Sequence, residues 1–343
     1  MDVQGVILMK KRKPGLDLLR CLALLGVVTF HSFLNNGYYS QPQTGVWMWL
    51  AGSVRWLSVS CIGIFLMLTG YLKSGRTDIR SCWRGLGPVL LGYLLAAAVS
   101  IPVRHFLLGD EQSFAVWVSR LFRFSAVYYG WYVEMYIGLT LLSPFVNLLL
   151  ERLTDAKGLL TLAGVMLFLT ALPGATTLDL APDHWRSLYP LTYYILGAVV
   201  RRLEPRTRPW AGIAGALVLA MALGAATTLS TDGKLSEAFT QEFGDLWIAG
   251  MVVCLFLALY RVETGPKMGK ILAFGAAGCY GGYLLSHLLD AWCYRLAAQW
   301  RTPAQYPKLF FCVTLPIFLS SLLAGWVLER LTGRLLRKEG AKC

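Results

Sequence analysis

Residues 14–34, PGLDLLRCLALLGVVTFHSFL, are apolar over the ~20 residues that a helix needs to cross a bilayer, and nine further apolar segments follow. These lie at about 57–72, 86–107, 131–150, 158–173, 188–200, 210–229, 243–260, 271–294 and 309–328. Hydrocarbon offers backbone N–H and C=O groups no partner, so segments of this length and spacing point to an all-α bundle. Hydrophobic residues fill 56% of the 343 positions and charged ones only 15%, too little charge for a soluble enzyme of this size. No loop is large enough for a second domain and no 20–50 residue repeat is visible, so residues 1–343 read as one polytopic membrane domain. The first nine residues are too short for a signal-peptide core and run into Lys10–Lys13, which reads as an uncleaved cytoplasmic start.

The basic residues set the orientation. With ten spans and both termini cytoplasmic, 22 Lys and Arg fall on the inner side and nine on the outer, with Arg20 inside the first span. The formal charge of +13 is therefore an orientation signal facing anionic lipid rather than a nucleic-acid surface. Eight cysteines scattered through apolar runs show neither a CxxC pair nor a zinc-ligand spacing, and no metal site is expected.

Three polar side chains break the first segment: Asp17, Arg20 and His31. Ionisable groups at membrane depth are costly and mark function by default. Arg20 and His31 are eleven residues apart. At ~100° per residue that is about three turns plus roughly 20°, so they share one face, separated by ~16.5 Å of helix rise. Asp17 stands three residues before Arg20, where it can pair with the guanidinium. A plainer reading stays open, with Asp17 and Arg20 paired at the headgroups and His31 bonded to a neighbouring helix; the shared face favours function.

Other polar groups lie along the chain. Glu134 sits about one turn into the fourth span, in the same outer layer as His31, which makes a His31–Glu134 relationship a natural hypothesis; Tyr132 and Tyr136 flank it as hydroxyl donors. Arg76, Arg80 and Arg84 are spaced four apart, so on a helix they would form one stripe suited to phosphates, or equally a topology signal facing lipid. His287 lies in the outer half of the ninth span, with Asp290 three residues on, lining a substrate path or bonding two helices.

Those stretches resemble the acyltransferase 3 family of integral membrane O-acyltransferases along most of the chain. The likeness rests on GLDLLR, which ends in the basic residue Arg20, followed by ten intervening positions and the histidine His31. IFLMLTGYL at 64–72, with Thr69 where serine is usual, YYGWYVEMYIGLTLLSP at 128–144 and YGGYLLSH at 280–287 are similar to three further family segments. The resemblance implies a multi-pass protein of the bacterial plasma membrane that moves an acyl group, usually acetyl, from cytoplasmic acyl-CoA to a hydroxyl of a cell-surface or exported carbohydrate or lipid-linked glycan. Acetyl-CoA is then a co-substrate, with no permanently bound cofactor. On this expectation His31, Glu134 and Arg20 carry the chemistry, Arg76, Arg80 and Arg84 hold the CoA phosphates, and Asp17, Tyr132 and His287 line the substrate path. A transporter that uses the same buried charges as a proton or solute relay is the competing expectation.

Overall fold

The computed structural model describes residues 12–172, 181–229, 243–297 and 299–340, and these are helices joined by turns and loops. In chain order the helices are α1 Pro14–Asn35, α2 Val46–Lys73, α3 Ile79–Arg84, α4 Leu86–Pro102, α5 Phe114–Phe122, α6 Trp131–Arg152, α7 Ala156–Thr170, α8 Tyr189–Leu203, α9 Pro209–Thr228, α10 Leu246–Leu259, α11 Pro266–Leu296, α12 Tyr306–Leu309 and α13 Leu315–Gly340. Among the described residues each of the ten apolar segments contains a helix. Among the described residues seven are long and apolar enough to cross a membrane: Pro14–Asn35, Val46–Lys73, Ile79–Leu107, Trp131–Arg152, Pro209–Thr228, Pro266–Arg295 and Pro303–Arg337. The helices Ala156–Thr170 and Leu246–Leu259 are apolar but shorter, and Tyr189–Leu203 is shorter and more polar. Lys10, Lys11, Lys234 and Lys342 of the charge asymmetry lie outside the described residues.

The second segment is longer than its apolar run. VWMWLAGSVRW joins it as the first turns of α2. Within 110–128 the amphipathic piece forms the short helix α5, capped by the Ser113 hydroxyl, which accepts from Val116 N. After Pro102, which removes a backbone donor, α4 widens into a π-type turn over Val103–Leu107.

α2 is the axis of the bundle and packs against α1, α8, α9 and α10, while α11 joins α1 to α13. The α2–α8 crossing is close because small residues face one another: a Cβ on Gly70 would strike the Tyr194 carbonyl, and one on Gly197 the Met67 carbonyl. Helix ends alternate. At one end Lys13 Nζ donates to Tyr71 Oη (2.8 Å), Asn147 Nδ2 to the carbonyls of Lys73 (2.9 Å) and Arg76 (2.8 Å), and Tyr194 Oη to Asn147 Oδ1 (3.0 Å). At the other end Trp56 Nε1 donates to Thr227 Oγ1 (3.0 Å), Tyr193 Oη to the Phe243 carbonyl (2.7 Å), and Leu246 N to the Ala171 carbonyl (3.0 Å). α1 therefore starts where α2, α6 and α8 finish, the same end that carries Arg20.

Candidate active site: two chambers along one helix

The chamber nearer the start of α1, the inner one in the expected orientation, begins with an ion-pair chain. Asp17, 1% exposed, accepts from Arg20 Nη1 at 2.7 Å and from Arg12 Nε, so one buried carboxylate holds two guanidinium groups. Arg20 lines a cavity of about 340 Å³ whose wall includes Lys73, Tyr132, Tyr136, Tyr280 and Glu329. Lys73 Nζ donates to Thr140 Oγ1 (2.7 Å) and lies 4.7 Å from the centre of the Tyr136 ring, so a second cation is fixed in the same wall.

Further along α1, His31 lines a smaller chamber of about 210 Å³ with Val27, Phe30, Cys61, Trp131 and Phe243. Tyr283 lines both chambers. Its ring lies 5.3 Å from that of Tyr132, and the two form an aromatic partition between the guanidinium below and the imidazole above.

The imidazole of His31 stacks on Tyr129, with centroids 4.1 Å apart and planes 23° from parallel, while Phe30 meets it edge-on. Tyr129 Oη in turn donates to Asp290 Oδ2 at 2.8 Å. Burial and the neighbouring Asp290 push the Tyr129 hydroxyl above its ordinary pKa, so it remains a donor. His287 packs behind this ring, 5.8 Å from Tyr129 and stacked at 5.2 Å on Tyr128.

The loop that carries Tyr128 and Tyr129 is clamped from outside. Arg104 Nη1 donates to the carbonyls of Ser125 (3.0 Å) and Ala126 (2.8 Å), and its Nη2 pairs with Asp110 Oδ2 at 2.6 Å. Arg120 Nη1 reaches the same oxygen at 2.8 Å, and both guanidinium groups lie over the Trp117 ring. Partial burial works to raise the pKa of Asp110, but the hydrogen bonds from Arg104 and Arg120 prevail and hold it below the usual carboxylate range. The chain turns sharply here. Phe124 takes φ 53°, and a Cβ on Gly130 would collide with the Phe124 carbonyl, so only glycine fits at that point.

Several expected groups meet and others do not. Arg20, Tyr132 and His31 line the two chambers. Asp17 lies behind Arg20 and His287 behind Tyr129, so neither forms part of a chamber wall as outlined. Glu134 is not brought to His31. It is exposed, it makes no side-chain hydrogen bond or ion pair among the described residues, and it lies ~200° around α6 from Tyr132 and Tyr136, the residues that face the cavity. The arginine stripe is broken, because α3 starts at Ile79 with Asp78 as its cap and leaves Arg76 in the preceding turn; Arg80 and Arg84 share the helix, and all three are exposed. Lys73, Glu329, Tyr283 and Tyr129 escaped sequence reasoning. Lys73 looked like one more inner-side charge at a span end, whereas Tyr129 and Tyr283 stand within the stretches that carry the family likeness.

Fold and site together define a multi-pass helical membrane protein whose first helix presents a paired guanidinium to one chamber and an imidazole to the next. The family model for the acyltransferase domain matches residues 13–330, nearly the whole chain. The protein belongs to the acyltransferase 3 family and is a membrane acyltransferase. No curated protein and no solved structure matches it.

Proposed function

We propose that the protein crosses the bacterial plasma membrane ten times with both termini in the cytoplasm, and transfers an acetyl group from cytoplasmic acetyl-CoA to a hydroxyl of a cell-surface or exported carbohydrate. The single observation that carries this reading is the pair of chambers meeting at Tyr283 along α1, with Arg20 in one and His31 in the other. A thin donor with a charged end and a reactive thioester end suits the two chambers, its thioester end passing the Tyr283 ring that stands between them. Arg20 and Lys73 face the donor from the inner cavity, and the exposed Arg80 and Arg84, just ahead of the cavity-lining Pro88 and Val89, meet its phosphates outside.

In the transfer, His31 takes the proton of the acceptor hydroxyl as its oxygen attacks the thioester carbonyl. The C–O bond of the ester forms, the C–S bond breaks, and the proton passes from the imidazole to the departing CoA thiolate. Nothing is oxidised or reduced.

The test is label transfer. Protein reconstituted in vesicles is given acetyl-CoA labelled in the acetyl group together with membrane glycolipids, and label is expected on a carbohydrate hydroxyl. Uptake of a solute with no transfer of label would support the carrier reading and remove this one. Unimpaired transfer by correctly inserted His31→Ala protein would remove the histidine from the mechanism.

A further inference from the structure

Tyr129 lies between the two most exceptional polar groups of the outer half. One face of its ring covers the His31 imidazole at 4.1 Å, and its hydroxyl donates at 2.8 Å to Asp290, a carboxylate only 3% exposed. A phenylalanine would fill the same space without a hydroxyl, and a carboxylate buried at this depth is expensive to desolvate. Packing alone therefore does not account for the pair.

We propose that Tyr129 is a positioning residue for His31: its ring fixes the plane of the imidazole in the outer chamber, and Asp290 fixes the ring by accepting its hydrogen bond. A histidine side chain turns about a broad, roughly two-fold terminal torsion. Bordering a chamber of about 210 Å³, the ring of His31 has room to leave the orientation in which one nitrogen meets an incoming hydroxyl. Stacking on Tyr129 removes that freedom on one side and Phe30, edge-on at 5.6 Å, limits it on another. The phenol is held by Asp290 on α11, and the loop that carries it by the bonds from Arg104 to the carbonyls of Ser125 and Ala126. Asp290 acts on His31 only by way of this ring.

The inference rests on His31 being the base of the proposed transfer, and the experiment separates the two. Steady-state transfer is measured in vesicles for Tyr129→Phe, Tyr129→Leu, Asp290→Leu and the double variant Tyr129→Phe/Asp290→Leu, each also in a His31→Ala background. A displacement of about 1 Å at a reacting group can cost ~100-fold. Tyr129→Phe, which keeps the stack and loses the bond, should lower kcat about 10-fold, and Tyr129→Leu, which loses both, about 100-fold, with KM for acetyl-CoA unchanged. Asp290→Leu, which leaves no acceptor, should match Tyr129→Phe, and the double variant should be no worse than either, since both changes break one bond; it also relieves the unpaired carboxylate should Tyr129→Phe fold poorly. In the His31→Ala background none of these changes should lower the residual rate further. Wild-type kcat in Tyr129→Leu, additive losses in the double variant, or an equal loss without the histidine would overturn the positioning role. If His31→Ala alone keeps full activity, the base assignment falls first, and this inference with it.

Discussion

Around Arg20 the fixing contacts are ionic and local: Arg12, Asp17 and Arg20 lie within nine consecutive residues and form one chain of charge. Around His31 they are aromatic and remote, from Tyr129 on the loop before α6 and Tyr283 and Asp290 on α11, with Asp290 closing on Tyr129 across 161 positions of sequence. The difference follows from depth and task. Near the inner boundary a guanidinium can be left charged and merely aimed, because its partner is a carboxylate one turn away. A base has to be held in one orientation with its ring nitrogens uncommitted, and stacking does that without taking a lone pair. On the proposed mechanism one helix thus carries a binding end organised by charge and a reacting end organised by shape.

The comparison breaks most visibly at His31. His31→Ala should lower kcat by about 100- to 10,000-fold, the usual range for a general base, while acetyl-CoA still binds. Equal losses in kcat and in donor affinity, measured by steady-state transfer and by equilibrium binding, would show that the two chambers do not divide the work. The complementary change, Arg20→Gln, should raise KM for acetyl-CoA roughly 10- to 100-fold and lower kcat less, since hydrogen bonds to charged groups contribute ~1.5–3 kcal/mol. Asp17 keeps Arg12 as a partner in that variant, so the protein should still insert.

Arg80 and Arg84 sharpen the comparison at its inner edge. Both are exposed on a six-residue helix. Replacing both with Gln should raise KM for acetyl-CoA by about 3- to 10-fold at low salt, and the effect should fade near 1 M salt, where the screening length is only about 3 Å. A KM independent of both substitution and salt would return these arginines to a purely topological role.

How much of this is legible in sequence follows the same division. The apolar periodicity places a helix within each of the ten segments, and the eleven-residue spacing of Arg20 and His31 puts both on the chambers, because helix geometry converts local spacing directly into direction. Asp17–Arg20 is equally readable, being an i,i+3 pair. The surroundings of His31 are not, since depth in the membrane says which layer a residue occupies and nothing about which side of its helix faces inward. Glu134 shares the layer but turns away, whereas Tyr129, in a loop, is brought back by the Phe124–Gly130 turn and the Arg104 bonds. Asp290 was visible as a neighbour of His287, but its hydrogen bond goes to Tyr129 on another element.

The smallest expected effect concerns the clamp that holds Tyr129 from outside. Asp110 joins Arg104 to Arg120, and its pKa lies below that of a free carboxylate. A depressed value means that the pair adds stability at pH above the ordinary carboxylate pKa of ~3.9, and that this contribution is lost as pH falls through the lower folded-state value. The residue is partly exposed and the pairs are screened, so the contribution is of the order of 0–1 kcal/mol, a factor of about 5 at most in local opening. Pepsin offers the measurement: cleavage within residues 123–130, divided by the enzyme's rate on an unstructured peptide at the same pH, should quicken by that factor between about pH 5 and pH 2 in the wild type. Asp110→Asn should show the faster corrected rate throughout and no pH dependence in it, because an amide does not titrate. A wild-type rate flat across that window would mean that Arg104 holds the loop through its bonds to the Ser125 and Ala126 carbonyls alone, with Asp110 contributing charge balance and nothing to the order of the outer chamber.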